Sequence, residues 1–353
     1  PPQVFGLHAT ADLTFRLKEF NELLDTIQIT LPKDGASAGG SEADEELKKR
    51  VINLINNQPP DFIEDDYRAK IKNMQYGGKT GLDVPLHNVL LQEIIAVQNI
   101  NVIVKKSLIS LKQALEGTLI MTDDIVAIKT AMTELKPPRI WTHDTAGNEI
   151  SWLTNSVASW HNGLILRNDR LREWLNCESG TRPAFWLPGF INPKGFFAAF
   201  RQEVYKTKKD QPSTVPLTLD MINLTFRPDK SEVDPEKWKL NNRKKPEKNV
   251  VSMLIYGLYI EGCIWAGYLA DDSNDSRNAI SMFPVIVVTG DSEKPQAANT
   301  ANANTNPPYK CPLYKYPRRT DGYLVDHIHL QIKSDTKASF WKKRGVALLC
   351  NKD

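Results

Sequence analysis

The sequence predicts an α+β protein: an N-terminal helical segment and a helix bundle, followed by a C-terminal antiparallel β-barrel-like domain. Three observations lead there. Through about residue 211 the apolar residues recur at steps of three and four, the period of a helix with one buried face. Beyond about residue 212 the apolar runs turn short, β-branched and aromatic, and polar or Pro-rich turns separate them, as in antiparallel sheet. Over 353 residues, 41% hydrophobic and 25% charged, with eight Trp and twelve Phe, there is ample bulk for a sizeable core. The expected divisions are residues 1–66, 67–211 and 212–353.

The first helix is predicted from Leu13, Leu17, Phe20, Leu24 and Ile27, ending near Leu31-Pro32. A small-residue loop follows over residues 33–40. Ser41-Glu42-Ala43-Asp44 then reads as a capping box for a second helix carrying Leu47, Val51, Leu54 and Ile55, stopped by Pro59-Pro60. Residues 61–83 are polar and poorly periodic. The longest stripe comes next: Leu86, Leu90, Ile94, Val97, Ile100, Val104, Leu108, Leu111 and Leu115. Thirty residues of helix are about 45 Å long, and such a helix is expected in a bundle. Thr122 caps a shorter helix with Ile125, Ile128, Met132 and Leu135. A further helix from about Ser151 buries Leu153, Val157, Trp160, Leu164, Leu171 and Leu175, and a last one runs from Asn192-Pro193 to the lysines at 206–209. The strand-like runs are residues 250–260, 282–289, 323–332 and 346–350. In the third, Leu324, Ile328, Leu330 and Ile332 are expected on one face. A lysine-rich loop (237–248) and an asparagine-rich, low-complexity loop (293–308) lie between them.

The net charge of +3 is too small to imply nucleic-acid or membrane binding by bulk electrostatics. No uninterrupted apolar run reaches the length of a membrane span. The opening Pro1-Pro2-Gln3-Val4-Phe5-Gly6 lacks the features of a signal peptide and reads as the interior of a longer protein. The four cysteines, Cys177, Cys263, Cys311 and Cys350, are widely spaced without a CxxC pair and read as reduced thiols.

Candidate chemistry is sparse. Gly77-Gly78-Lys79-Thr80 invites comparison with a phosphate loop, but Asn73 stands where the motif needs its first glycine and no hydrophobic strand precedes it. It reads as a flexible turn. His327 and His329 share a face of a predicted strand with no third ligand nearby, and read as solvent-facing. Cys177 with His161 upstream is the one pairing a hydrolase could use, and nothing local supports it. No G-x-S-x-G or H-E-x-x-H occurs. Residues 237–248 could attract an acidic surface such as tubulin or RNA, but as a charged loop they read first as solvated. The run Phe185-Trp186-Leu187-Pro188-Gly189-Phe190 is too apolar for a free loop. It is expected to wedge between the helical and β parts, with Trp186 buried.

Three separated segments carry a resemblance. Phe5-Gly6-Leu7-His8 with Ala11-Asp12 and Asn21-Glu22-Leu23-Leu24-Asp25 resembles the small subdomain of the last AAA+ module of dynein heavy chains. Phe185-Trp186-Leu187-Pro188-Gly189-Phe190 resembles that family's aromatic signature. Trp341-Lys342-Lys343-Arg344-Gly345-Val346-Ala347-Leu348-Leu349-Cys350 resembles its closing segment. Asn88-Val89-Leu90-Leu91-Gln92-Glu93, Tyr256-Gly257-Leu258-Tyr259-Ile260-Glu261-Gly262 and Tyr309-Lys310-Cys311-Pro312-Leu313-Tyr314-Lys315 fit between them in the family's order. The last of these and the closing segment look axonemal rather than cytoplasmic. Asp321-Gly322-Tyr323-Leu324-Val325 departs from the family's glycine-histidine-serine-threonine stretch, and the asparagine-rich loop looks inserted.

The resemblance implies a non-catalytic end of a motor. Its parent would be a ring of six AAA+ modules that hydrolyses ATP with magnesium, bound elsewhere in the parent. It would step along microtubules in the axoneme of a cilium or flagellum, with intermediate and light chains on other parts. This region would pack on the ring in cis and modulate movement, holding no cofactor or metal itself. Phe185, Trp186, Leu187, Phe190, Trp341 and Arg344 would be its structural or interface residues. The alternatives are a microtubule- or partner-binding scaffold acting through residues 237–248, and the hydrolase above.

Overall fold

The computed structural model describes residues 20, 40–209, 223–226, 252–265, 268–270, 281–290, 307–333 and 335–351. The first predicted helix apart from Phe20, the lysine-rich loop and nearly all of the asparagine-rich loop lie outside these residues. Helix and sheet are both present, as an α+β class requires, and the protein divides into two compact units. A helical unit contains the described part of Pro32–Gly180 together with Gly189–Asn192, and a β unit contains Thr181–Pro188 and the described residues from Pro193 onward.

The helical unit opens with α1 (Gly40–Asn56). Residues 61–83 are more ordered than their pattern suggests. Helix α2 (Glu64–Asn73) buries only Tyr67 and Ile71, one i,i+4 pair, which is too little apolar signal for a periodicity argument. Its ends carry the charges a helix dipole favours, Glu64, Asp65 and Asp66 first and Lys70 and Lys72 last. The Gly77-Gly78 turn joins β1 (Gln75–Tyr76) to β2 (Lys79–Thr80) in a two-residue hairpin. Both glycines have positive φ (60° and 78°), which a hairpin of this length favours.

The long helix α3 (Pro85–Leu115) has 31 residues, begins with proline at its first position, and buries the predicted stripe from Leu86 to Leu111. By length and composition alone it could cross a membrane. Its apolar stripe is occupied instead by α1, α2, α4 (Asp123–Thr133), α5 (Arg139–Thr142) and α6 (Val157–Leu175). The connection between α1 and α2 is held to this helix by Asp61. Its carboxylate accepts from Gln98 at 3.0 Å, Asn101 at 2.9 Å and Lys105 at 3.0 Å. The Gln98 bond, then the Lys105 ammonium, holds that carboxyl below the usual range.

Two expectations fail at helix ends. Helix α6 starts at Val157, capped by Ser156, whose hydroxyl accepts from Ser159 N–H, so Leu153 lies before the helix and is exposed. Leu135 is half-exposed, not inward. It follows α4 with φ of 60°, while Lys136 N–H reaches Ala131 O and Leu135 N–H reaches Met132 O. That is a Schellman ending with leucine where glycine is usual.

In the β unit, α7 (Pro193–Lys209) accompanies a seven-stranded sheet. Its strands are β3 (Phe185–Trp186), β4 (Asn223–Phe226), β5 (Ser252–Glu261), β8 (Ser281–Gly290), β9 (Tyr309–Tyr314), β10 (Leu324–Leu330) and β11 (Ala347–Leu349), with α8 (Ala338–Lys343) before the last. They lie in the order β11-β9-β10-β4-β8-β5-β3. A separate small hairpin pairs β6 (Ile264–Trp265) with β7 (Leu269–Ala270). The sequence reading groups α7 with the bundle; in the structure it belongs to the unit that holds the sheet.

The sheet is mixed, which corrects the antiparallel expectation. Strand β4 runs parallel to β10, β9 to β11, and β3 to β5. Each of these pairs is separated by a long stretch of sequence, which a parallel pair requires, whereas β9 and β10, joined by a short loop, are antiparallel. Strand β11 pairs with β9 along one side and with β5 along the other. The face predicted for β10 is also corrected. A register shift between Leu324 and Asp326 buries Val325 and leaves Leu324 half-exposed, while Ile328, Leu330 and Ile332 stay inward.

Candidate functional site

The signature segment forms the edge of the sheet. Strand β3 pairs parallel to β5, with Phe185 opposite Ile255 and Trp186 opposite Tyr256. Successive residues of a strand face opposite ways. Phe185 therefore goes inward, 3% exposed, with its ring edge-on to Phe196 at 5.1 Å. Trp186 takes the other face and is half-buried, so the expectation of its full burial fails for a geometric reason. Leu187 is fully buried. One residue past Tyr256, Gly257 has φ of 85° inside a bulge that shifts the β5–β8 register between Ile255 and Leu258. A Cβ there would lie 2.7 Å from Trp186 Cδ1 and 2.9 Å from Pro188 Cδ.

Helix α7 supplies the apolar floor: Phe196, Phe197, Phe200 and Val204 are fully buried. Their spacing is a helical face that the sequence reading did not single out. Two ion pairs flank this face. Arg182 Nη2 donates to Glu203 at 2.6 Å, with both side chains about nine-tenths buried. Arg201 holds Asp326 of β10 with both terminal nitrogens, Nη2 to Oδ1 at 2.8 Å.

Phe190, the last residue of the signature, belongs to the helical unit, buried edge-on to Trp174 at 6.2 Å. The two residues after it are held by Glu93, a buried carboxylate on α3. Its oxygens accept from Ile191 N–H and Asn192 N–H, each at 2.8 Å. The one acid among the buried residues of α3 was the available signal for this contact.

The closing segment is built on α8. Trp341 is 1% exposed, and its indole N–H reaches Thr336 Oγ1 at 3.3 Å. Arg344 lies over the Phe340 ring at 5.3 Å and the Trp341 ring at 5.9 Å. Gly345, with φ of 68°, ends the helix, and Val346 N–H reaches back to Trp341 O. Strand β11 follows, buried at all three residues.

The family defined by the C-terminal domain of dynein heavy chains matches residues 17–350. The protein belongs to that family. It is 30% identical over 353 residues to human dynein axonemal heavy chain 8, and 28% to its mouse counterpart, with 99% of the present sequence covered in each case. It is 27% identical to the flagellar outer arm dynein gamma chain of Chlamydomonas reinhardtii over 352 residues, the whole of the present sequence. It spans only 7% of the length of each of these relatives.

In this dynein-family protein the hydrolase pairing does not form. His161 lies near the start of α6 and Cys177 just past its end, so helix rise alone separates them by about 21 Å. His161 faces the Gln58 amide at 3.3 Å, and burial pushes its pKa down. The Cys177 thiol donates to Glu173 O. His327 and His329 are half-buried rather than solvent-facing, and burial lowers both pKa values. All four cysteines are free thiols.

Proposed function

We propose that this protein is the non-catalytic C-terminal region of an axonemal dynein heavy chain, working in a cilium or flagellum. On this reading it packs on the parent's AAA+ ring in cis and modulates an ATP-driven microtubule motor. ATP and magnesium bind elsewhere in the parent, as do microtubules, intermediate chains and light chains. The region itself holds no cofactor or metal. Phe185, Trp186, Leu187, Phe190, Trp341 and Arg344 act through packing. The axonemal names of relatives that match across the whole sequence support the assignment. The use of carboxylates supports a packing role: Glu93, Glu203, Asp326 and Asp61 are each tied into hydrogen bonds that hold elements together, which leaves them ill-suited to acid–base work.

The observation that carries the reading is β11. The family match ends at Cys350, and the strand just before it is hydrogen-bonded on both sides, to β9 and to β5. We infer that this strand closes the sheet into a barrel, giving the parent a stiff end piece in which β11 itself presents no free edge. Two experiments test this. Calorimetry with Mg-ATP on this protein is expected to show no stoichiometric site, and a micromolar site sinks the non-catalytic reading. In the full-length motor, truncation after Arg344 is expected to change gliding velocity or force while ATP turnover persists. Unaltered motility overturns the modulatory role, and a folded ring without turnover overturns the separation from catalysis.

A further inference from the structure

Charge in this protein is unevenly placed. Residues 307–351 carry nine Lys or Arg against three Asp, a net +6, where the whole sequence is +3. The fold gathers part of this excess from two distant stretches. The loop after β9 is closed by Lys315 N–H on Tyr323 O at 2.8 Å and by the Tyr316–Tyr323 ring pair at 5.1 Å. From that loop Arg319 reaches Gly345 O at 2.5 Å and also holds Glu261 of β5. Arg318 and Arg319 are thereby fixed beside the C-terminal end of α8, where Lys342 and Lys343 stand. Arg318, Lys337, Lys342 and Lys343 are exposed and make no ion pair among the described residues. Within the same helix turn Phe340 is 42% exposed.

We infer that this surface docks an acidic polypeptide segment, its carboxylates meeting Lys342, Lys343 and Arg318 and an apolar side chain resting on Phe340. Arg318, Lys342 and Lys343 gather near the C-terminal end of α8 with no ion pair among the described residues; like charges there repel one another, and an anionic partner relieves that cost. A polypeptide fits better than a nucleic acid or a membrane. Nucleic acids are gripped by runs of phosphate contacts and several stacking aromatics, whereas this patch offers one exposed ring and includes a carboxylate, Glu261, already seated on Arg319. A membrane surface would ask for a broad basic face with several apolar anchors.

The test uses the whole protein and a short fluorescein-labelled peptide rich in glutamate with one central leucine, read by fluorescence anisotropy. Binding is expected at low salt, about 50 mM, and should weaken steeply as salt shortens the screening length. The pair Lys342→Glu and Lys343→Glu is expected to weaken it by about tenfold or more, since two attractive contacts become repulsive. Phe340→Ala should weaken it by a smaller factor, and Lys49→Glu, exposed on α1, should leave it unchanged. If the double reversal perturbs folding, Lys342→Gln with Lys343→Gln reads the same loss without repulsion. The inference is overturned if the wild-type protein does not bind the peptide, or if Lys49→Glu weakens binding as much as the α8 pair does. It is equally overturned if polyphosphate or anionic vesicles compete as strongly as free peptide.

Discussion

Trp186 and Gly257 are packed so closely that no side chain fits between them. A methyl at Gly257 would come within 2.7 Å of the indole Cδ1, and the glycine's φ of 85° is one that alanine adopts only under strain. Gly257→Ala is therefore expected to destabilise the β unit by about 2–4 kcal/mol, the strain and the overpacking acting together. Chemical denaturation followed by tryptophan fluorescence checks this, and a loss under about half a kilocalorie per mole would contradict the geometry. Trp186→Ala, at a half-buried site, should cost less than Phe185→Ala, for which about 3–5 kcal/mol is expected.

Glu93 holds the Ile191 and Asn192 amides from inside an apolar helix face. Removing it leaves two donors without their charged acceptor. Glu93→Ala is expected to cost about 3–6 kcal/mol, from two bonds to a charged group at about 1.5–3 kcal/mol each. Hydrogen exchange is the specific readout: the Ile191 and Asn192 amides should lose protection before those of α3 do.

At Leu135 a substitution should help. The side chain is half-exposed, so little burial is lost, and the left-handed backbone suits glycine. Leu135→Gly is expected to raise stability by about 0.5–1 kcal/mol, the relief of αL strain outweighing the added freedom of the unfolded state. A lower melting temperature in the variant would show that the leucine is held there by packing.

The thiols differ in reach. Cys263, Cys311 and Cys350 are buried, and burial drives the Cys311 and Cys350 thiols upward, the latter to about 12. Only Cys177 is partly open. In the folded protein Ellman's reagent is expected to titrate one thiol at about pH 8 and all four after unfolding. Rapid reaction of more than one in the native state would show a breached β core.

Burial holds the His161 pKa below 6.5, so the unfolded state takes up a proton at a pH where the folded state does not. Its contribution to stability is complete above pH 6.5 and declines as pH falls from there through the lowered folded value. His161→Gln keeps a polar group facing Gln58 and removes the titration. The variant should lose less stability than wild type on going from about pH 7 to about pH 5, measured by urea unfolding; an unchanged slope would place the proton uptake elsewhere.

Local pattern by itself determined the helix α3, because its stripe from Leu86 to Leu111 keeps helical spacing over many turns. It also determined the turn at Gly77-Gly78, and family membership, since ordered motifs survive where overall identity is low. Tertiary structure decided what depends on partners distant in sequence. Helix α2 carries one apolar pair, and its burial comes from α3 and α6. The inward face of β10 was set by a bulge against β9, which moves Val325 in and Leu324 out. Trp186 takes the opposite, half-buried face because Phe185 takes the inward side of a two-residue strand. The parallel pairings, the second partner of β11, and the meeting of Arg319 with Gly345 join positions tens of residues apart. A periodicity reports which face a residue shares with its near neighbours; it carries no term for which remote strand will hydrogen-bond to it, and that choice rests on the packing of the whole unit.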